Sequence, residues 1–391
     1  MCPEITQIEV DSFTYPVEGV SKDPATQKLV YSPNETHERT AHGIRIHTDV
    51  GVTGAYIGGN EPAVTQIEPC ASYLLGRDPL KRERHWNSLR QVLRKYDRMG
   101  LGMIDIALWD LAGRLYGAPI HELLGTYRER LPAYASTYFA ERDRGFDTGE
   151  AFAEFAETCY EYGYEAFKTH TWCGEDRLDV EREVELIRTV GERVGDRMQL
   201  MHDPVCEYET FADALRVGRM CDKYDYFWYE DPYSDGSRSQ HVHRKLREFI
   251  DTPLLLTELV RGVESTTDFI SNDATDFARA DPEWDGGITG AMKIARAAEA
   301  HGLDVEYHLA GPARRHCMAA TRNSNYYELG LVHPDSQLPH TEYPVYQNGY
   351  TDRIETVDED GTVGVPNGPG LGVEYDWDHV EANRVRNVVY E

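Results

Sequence analysis

Ionisable side chains stand at the ends of successive short apolar segments in the second half of the sequence. They are Lys168 and His170, Asp203, Glu230, Glu258, Asp281, His308 and Glu328. The six intervals between Lys168 and Glu328 average about 27 residues, which is about the length of one strand followed by one helix. Polar residues at this period are expected at the carboxyl ends of parallel strands, where barrel enzymes carry their catalytic groups.

Three consecutive segments end in a carboxylate: Asp203 follows MQLMH, Glu230 follows YFWY and Glu258 follows PLLLT. Three carboxylates that converge in a poorly solvated site cannot all stay ionised without a cation. A set of oxygen ligands favours Mg²⁺, with Mn²⁺ as a second possibility, over zinc or copper. The alternative is an acidic cluster that is neutralised by arginine or lysine.

The next two segments end in Asp281 and His308, which the strand order places side by side. A carboxylate on one imidazole nitrogen would orient the ring and raise its basicity, so His308 can act as a general base or acid. The alternative for His308 alone is a buried histidine with a structural hydrogen bond.

The elements that must position these residues are short strands that alternate with amphipathic helices. The predicted strands are 131–137, 165–170, 198–203, 226–231, 253–258, 276–281, 304–308 and 325–329, and the predicted helices are 148–162, 180–194, 210–221, 239–250 and 289–301. Repeated strand-helix units predict a parallel sheet. No G-x-G-x-x-G or G-x-x-x-x-G-K-[ST] motif follows a strand, which favours a closed β/α barrel over an open nucleotide-binding sheet.

The N-terminal region is predicted to form a separate α+β domain. Residues 5–11 and 43–56 alternate apolar and polar side chains like antiparallel strands, and residues 62–115 have helical periodicity. Residues 14–41 are rich in polar side chains, and we expect a long loop there. Such a loop is either a lid or binding loop, or a disordered or oligomer-contacting excursion.

The composition excludes several classes of partner. The 391 residues include 40 basic and 68 acidic side chains, giving a net charge of -28, so nucleic acid and anionic membrane surfaces are not expected to bind. We interpret most of the excess acid as a solvated surface. The seven cysteines form no C-x-x-C pair and the sequence has no export or membrane-spanning segment, so we expect a cytoplasmic protein with reduced thiols.

Five sequence features together resemble the enolase superfamily, and within it the mandelate racemase and muconate lactonizing enzyme family. They are IDIALWDLAGRLYGAPIHELLG at 104–125, Lys-Thr-His at 168–170, the Asp203/Glu230/Glu258 series, D-x-x-x-x-G-G-I-T at 281–289 and VPNGPGLGVEYD at 365–376. The resemblance implies an α+β capping domain built from residues 1–128 and 346–391 over a (β/α)7β barrel at 129–345. It also implies Mg²⁺ held by the three carboxylates, and removal of the proton α to a substrate carboxylate to give an enediolate.

The same resemblance suggests roles for the remaining residues. Asp281 and His308 resemble the Asp-His dyad of mandelate-racemase-like members, and Glu328 resembles the eighth-strand Glu that hydrogen-bonds the substrate carboxylate; a strand-end salt bridge is the alternative for Glu328. Where many members have Lys-x-Lys, this chain has His170 as the second residue. His170 could act as base or acid or only contact substrate, and Lys168 could supply a cation or contact the carboxylate.

The resemblance leaves three reactions open: dehydration, racemisation or epimerisation, and cycloisomerisation. We favour a Mg²⁺-dependent acid-sugar dehydratase that converts an aldonate or aldarate into a 2-keto-3-deoxy sugar acid, because one histidine can serve as base and then as acid. Tyr15, Lys22, Gln27, Asn34 and His37 in the polar segment suit a polyhydroxylated substrate. A homo-oligomer that takes a small carboxylate is expected. A catalytically inactive barrel that binds a sugar acid is the alternative from another class.

Overall fold

Two β-sheets organise the chain, one antiparallel and one parallel. The computed structural model describes residues 3–141, 144–174, 178–336, 339 and 342–391. The N-terminal region contains the strands β1 (Ile5–Lys22), β2 (Leu29–Thr48) and β3 (Thr53–Ile57). It continues with the helices α1 (Glu61–Thr65), α2 (Ile67–Leu74), α3 (Arg82–Val92), α4 (Met99–Tyr116) and α5 (Ile120–Leu124). α4 is buried along nearly its whole length, which explains its almost uniformly apolar sequence.

The parallel sheet contains eight strands that curl around a common axis. Its strands are β4 (Arg130–Ser136), β5 (Ala166–His170), β6 (Gln199–Asp203), β7 (Trp228–Glu230), β8 (Leu254–Leu256), β9 (Phe277–Ala280), β10 (Asp304–Tyr307) and β11 (Tyr327–Leu329). One helix follows each of the first seven: α6 (Gly149–Glu161), α7 (Val180–Val194), α8 (Phe211–Lys223), α9 (Gln240–Arg247), α10 (Val263–Ser271), α11 (Gly287–Ala300) and α12 (Pro312–Ala319). β11 pairs with β4, which brings the last strand back to the first. The predicted (β/α)7β fold with a capping domain is confirmed.

The C-terminal residues return to both sheets. β12 (Thr362–Gly364) pairs antiparallel with β4, and a short helix α13 (Trp377–Ala382) leads into β13 (Arg384–Tyr390). β13 pairs antiparallel with β1, so the strand order of the capping sheet is β13-β1-β2-β3. The limits 1–128, 129–345 and 346–391 remain a prediction.

The predicted polar loop at 14–41 is wrong. β1 and β2 continue through this segment as a long antiparallel hairpin, with pairs such as Val17 opposite His37 and Val20 opposite Tyr31, and only residues 23–28 form a turn. Buried and exposed residues alternate over 14–18, but residues 29–32 are all buried and residues 33–36 are all exposed. Much of the hairpin therefore lacks the two-residue period by which a sequence indicates a strand. The hairpin tip reaches the barrel mouth, where Gln27 and Leu29 line a cavity.

The capping domain docks onto the loop that follows β9. Asp105 of α4 accepts hydrogen bonds from Thr289 N and Oγ1 at 2.9 and 2.7 Å, so its carboxylate occupies the N-terminus of α11, where a negative charge is favoured. Close to it, Gly102 lies against the backbone of Glu283, with no space for a Cβ atom. The glycine therefore sets how closely the cap approaches the barrel.

We predict that Gly102→Ala lowers both stability and activity. The methyl group would overlap the Glu283 backbone, and overpacking of this kind costs about 1–3 kcal/mol. Thermal unfolding and turnover are the measurements. Gly364→Ala is the matched control, because the only atom near its added Cβ is Arg130 Nη1 at 4.0 Å. Equal behaviour of the two variants would contradict this account of cap docking.

The cysteines in the described residues form no disulfide. Cys70, Cys159, Cys173, Cys206, Cys221 and Cys317 are free thiols, and Cys2 lies outside the described residues. Burial raises the pKa of the Cys70 thiol to about 12, so this thiol stays protonated at neutral pH. Within the described ranges, no helix is both long and apolar enough to cross a membrane.

Candidate active site

The carboxyl ends of the barrel strands place the predicted site residues around one mouth. A cavity of about 240 Å³ there is lined by six of them: Lys168, His170, Asp203, Glu258, His308 and Glu328. Glu230 lies at the end of β7 beneath this cavity, and Asp281, which follows β9, contacts His308 from behind. A second cavity of about 550 Å³ shares Gln27, Leu29, Trp284 and Leu309 with the first, so the mouth extends under the capping domain.

Asp203, Glu230 and Glu258 converge as the sequence predicts. Each offers one carboxylate oxygen, and the three oxygens lie within 4.8 Å of one another. Burial raises the pKa of Glu258 to about 7, and the charges of Asp203 and Glu230 add to this rise. The donor set is therefore all oxygen, closely spaced and in need of positive charge, which fits Mg²⁺ or Mn²⁺.

Two buried cations balance part of this negative charge. The ammonium Nζ of Lys168 lies 3.0 Å from Glu230 Oε2 and 3.5 Å from Asp203 Oδ2, and Arg279 Nη2 lies 2.5 Å from Glu230 Oε1. Burial lowers the pKa of Lys168, but Glu230 and Glu328 outweigh it and raise that pKa well above its ordinary value. Lys168 is thus a stable cation in this arrangement and not a free base.

The charge count leaves room for a divalent ion. When Asp203, Glu230, Glu258 and Glu328 are all ionised they carry four negative charges, and Lys168 and Arg279 supply two positive charges. Two negative charges then remain without a cation, and like charges at short range repel. Lys168 and Arg279 therefore account for part of the cluster, and a divalent cation would balance the rest.

His308 and Asp281 form the predicted dyad. His308 Nδ1 lies 2.8 Å from Asp281 Oδ2, and Nε2 lies 3.5 Å from Glu258 Oε2 on the cavity side. Burial would raise the pKa of Asp281, but Arg314 and His308 outweigh it and hold the pKa below its ordinary value. An ionised Asp281 can only accept, so Nδ1 of His308 donates to it and Nε2 of the neutral ring carries the lone pair.

The electrostatics around His308 favour its protonated form. Burial lowers the pKa of the ring, but Glu258 and the hydrogen bond that the ring donates to Asp281 outweigh this and raise the pKa above its ordinary value. The ring packs on Trp284 with a centroid distance of 4.8 Å. A divalent cation bound to Glu258 would neutralise the negative charge that raises the pKa of His308, and so would favour the neutral, basic form of the ring.

His170 stands beside the metal-ligand cluster. Its Nδ1 lies 2.6 Å from the Thr137 carbonyl oxygen, so Nδ1 carries a proton and donates, while Nε2 lies 3.4 Å from Asp203 Oδ2. The ring packs on Phe139, with the ring centroids 4.7 Å apart. The imidazole is thereby fixed with Nε2 directed toward the metal-ligand cluster. Its role as a second base or a substrate contact stays a prediction.

Glu328 is held by three donors. Its Oε1 lies 3.0 Å from Lys168 Nζ, and its Oε2 accepts from Leu309 N at 2.8 Å and lies 3.3 Å from Arg279 Nη2. Burial would raise the pKa of Glu328, but Lys168 and Arg279 outweigh it and hold the pKa well below its ordinary value. Glu328 is therefore ionised here, and the predicted hydrogen bond to a substrate carboxylate requires that it takes up a proton when substrate binds.

Sequence reasoning missed two arginines of the site. Arg279 lies two residues before Asp281, and the two-residue period of a strand could have placed it inside the barrel. Arg314 donates to Asp281 Oδ1 at 2.8 Å, but its neighbour Arg315 instead binds Asp352. The sequence Ala-Arg-Arg-His has no signal that separates these two arginines.

Metal affinity should depend on pH through Glu258. Because a ligand carboxylate must be ionised and the pKa of Glu258 is raised to about 7, affinity is expected to be full above pH 7 and to fall about tenfold per pH unit below it. Calorimetric Mg²⁺ titration in buffers of different ionisation enthalpy should show about one proton released near pH 6 and almost none at pH 8. A proton release that does not change between these pH values would contradict the assignment.

Comparisons with known proteins agree with this fold. A family model described as enolase C-terminal domain-like matches residues 151–379. A second model, the N-terminal domain of mandelate racemase / muconate lactonizing enzyme, matches residues 19–125. The first match covers the barrel strands β5 to β11 with the candidate metal ligands, and the second covers the cap from the end of β1 to α5.

Individual relatives are similar over most of their length. D-galactarolactone cycloisomerase of Agrobacterium fabrum is 29% identical over 87% of this chain and 90% of its own length. D-xylonate dehydratase of Haloferax volcanii is 28% identical over 88% of this chain and 85% of its own length. The crystal structure of D-glucarate dehydratase from Agrobacterium tumefaciens, which is complexed with magnesium, superposes with a TM-score of 0.85 at 30% identity, covering 98% of this chain and 99% of that one.

Proposed function

Because the chain belongs to the mandelate racemase / muconate lactonizing enzyme family of the enolase superfamily, we propose that it is a Mg²⁺-dependent acid-sugar dehydratase. The observation that carries the proposal is one cavity that holds both a three-carboxylate cluster and a histidine oriented by a buried aspartate. This combination is suited to removing a proton from the carbon next to a carboxylate.

The metal-ligand residues are Asp203, Glu230 and Glu258. A Mg²⁺ ion held by them would stabilise the negative charge that develops on a substrate carboxylate when the α-proton leaves. Lys168 lies beside this cluster as a fixed cation and lowers the cost of bringing an anionic substrate into the mouth. The surrounding barrel keeps the ligand side chains of Asp203 and Glu230 away from bulk water.

His308 is proposed as the base and then the acid. In its neutral form Nε2 accepts the α-proton, while Asp281 holds Nδ1 and stabilises the imidazolium that forms. The same imidazolium then returns its proton to the β-hydroxyl group, which leaves as water. The resulting enol tautomerises to a 2-keto-3-deoxy sugar acid.

The mouth also fits a polyhydroxylated chain. The second cavity is lined mostly by polar side chains of the hairpin and the cap, such as Lys22, His37, Thr40, His42 and Asn60. A sugar acid with its carboxylate at the cluster can extend its hydroxyl groups into this space. Dehydratases and a cycloisomerase of sugar acids among the relatives support this substrate class.

The position of His170 supports racemisation or epimerisation as a second candidate reaction. Its Nε2 is fixed toward the ligand cluster, so His170 and His308 would be the two bases of such a reaction. Cycloisomerisation is supported by the galactarolactone relative. A sugar-acid-binding barrel without turnover is the remaining alternative, and it predicts metal binding without isotope exchange.

A library of aldonates and aldarates tests the proposal. Purified protein with Mg²⁺ should release a 2-keto acid from at least one member of the library. Absence of product from every sugar, combined with α-proton exchange in deuterated water on another carboxylate, would refute dehydration and favour the racemase alternative. Metal binding without exchange on any substrate would favour the non-catalytic barrel.

The environment and assembly are part of the proposal. We propose that the protein is a cytoplasmic homo-oligomer. The free cysteines of the described residues support a reducing compartment. The acidic composition disfavours polyanionic partners. Size-exclusion chromatography with light scattering tests the assembly, and a monomer at micromolar concentration would contradict it.

A further inference from the structure

We propose that Arg314 is a positioning residue for the Asp281–His308 dyad and that it couples the dyad to the docked capping domain. The proposal rests on the proposed function in so far as His308 is the base. It concerns a guanidinium at the start of α12 that is 3% exposed and that touches neither the metal-ligand carboxylates nor the ring of His308 in its described contacts.

Arg314 holds the dyad at two points. Its Nη2 donates to Asp281 Oδ1 at 2.8 Å, and its Nε donates to the backbone carbonyl oxygen of His308 at 3.1 Å. The guanidinium and the backbone N–H of Glu283, at 2.7 Å, both donate to Asp281 Oδ1, so Oδ2 is the oxygen left for His308 Nδ1. The fork geometry of arginine fixes both partners at once, which a single hydroxyl or amide does not do.

The third contact of the guanidinium reaches the capping domain. Arg314 Nη1 donates to Tyr56 Oη at 3.2 Å and lies 3.3 Å from Glu283 Oε1. Tyr56 lies on β3 of the cap and donates in turn to Glu283, and Gly58, two residues on, has no room for a Cβ atom against the same carboxylate. The cap therefore meets the dyad through one buried, charged group.

This arrangement has a functional consequence. An acid-base pair works only when the ring is held in the right tautomer and direction. Without Arg314, Asp281 Oδ1 would keep the hydrogen bond from Glu283 N at 2.7 Å, but the buried carboxylate would lose its guanidinium partner and hold His308 less firmly. Tyr56 belongs to the cap, whereas Glu283 belongs to the loop after β9, so a cap that is not docked would remove the hydrogen bond between Arg314 and Tyr56. We expect the guanidinium, and with it the dyad, to be fully held only when the cap is docked.

The test compares two adjacent arginines. Arg314→Gln is expected to lower kcat about 100-fold with KM changed less than about threefold, while Mn²⁺ affinity measured by electron paramagnetic resonance stays within about twofold. The matched control is Arg315→Gln. Arg315 is equally buried on the same helix but donates to Asp352, Thr351 O and Gly364 O, and its loss should lower thermal stability while kcat stays within about threefold.

Two further variants separate the parts of the proposal. Arg314→Lys should have a kcat about tenfold higher than that of Arg314→Gln, because an ammonium still pairs with Asp281. If the glutamine variant does not fold, Arg314→Lys is compared with wild type in its place. Tyr56→Phe should lower kcat about threefold to tenfold without changing metal affinity. Equal kcat losses at Arg314 and Arg315, or full activity of Arg314→Gln, would overturn the positioning role. Unchanged kcat in Tyr56→Phe would overturn the coupling to the cap.

A crystal structure of Arg314→Gln separates this proposal from the proposed function. We expect the 2.8 Å contact between His308 Nδ1 and Asp281 Oδ2 to be lost, and an intact contact would overturn the positioning role. If the wild-type protein exchanges no α-proton with any acid sugar while the variant loses this contact, the proposed function fails and the positioning role stands.

Discussion

Glu230→Gln is expected to abolish turnover while the fold survives. Glu230 is fully buried at the centre of the ligand cluster, where its oxygens contact Lys168 Nζ and Arg279 Nη2. An amide removes one of the negative charges that attract the cation and places an NH₂ group beside two cationic donors. We expect Mg²⁺ affinity to fall about 100-fold or more and kcat/KM to fall about a thousandfold or more.

A second buried glutamate provides the control. Glu306 on β10 is fully buried, and its described hydrogen bonds come from Asn325 and the backbone N–H of Tyr326. Burial raises its pKa to about 7, so Glu306→Gln removes a buried carboxylate that is not one of the three cluster carboxylates, and we expect its main effect on stability. Its turnover should stay within about threefold of wild type. Turnover of Glu230→Gln at the wild-type rate would remove the argument for the metal.

His308→Asn is expected to cause the second largest loss. Asparagine keeps a polar group near Asp281 but cannot accept the α-proton or return it to the leaving hydroxyl group. General acid–base catalysis contributes about a hundredfold to ten-thousandfold, and the loss here should lie at the upper end because both steps use the same ring. Metal affinity should stay within about threefold, since the carboxylate ligands are intact.

The kinetic pattern distinguishes His308 from a structural histidine. His243 is also buried, and burial lowers its pKa to about 4, but its Nδ1 only contacts the Ser239 carbonyl oxygen. His243→Asn should therefore change thermal stability and leave turnover within about threefold. If His308→Asn keeps both dehydration and α-proton exchange, another group is the base, and His170 is the first candidate.

The barrel could be predicted from the sequence because the information is local and periodic. Short apolar segments each end in an ionisable residue, and the parallel order of strands brings those ends together. The residue types then point to the chemistry: three carboxylates for a cation, and a histidine with an aspartate for proton transfer. The convergence of Asp203, Glu230 and Glu258 was accessible at this level.

The hairpin and Arg314 were not accessible for a different reason. The hairpin at 14–41 has polar side chains on its outward faces, and its pairing is decided by partners far apart in the chain, such as Thr14 with Thr40. The role of Arg314 depends on a contact with Tyr56 of the cap, 258 positions away in sequence. Such contacts belong to the packing of two domains and have no spacing that a sequence shows.

The central claim is that His308 removes an α-proton with the help of a divalent cation. The most direct measurement is proton NMR of the best acid sugar in deuterated water with wild-type protein and Mg²⁺. The account predicts a 2-keto-3-deoxy product that carries deuterium at C3, with its formation lost in EDTA and in His308→Asn. Product formation at an unchanged rate in EDTA, or in His308→Asn, would contradict it.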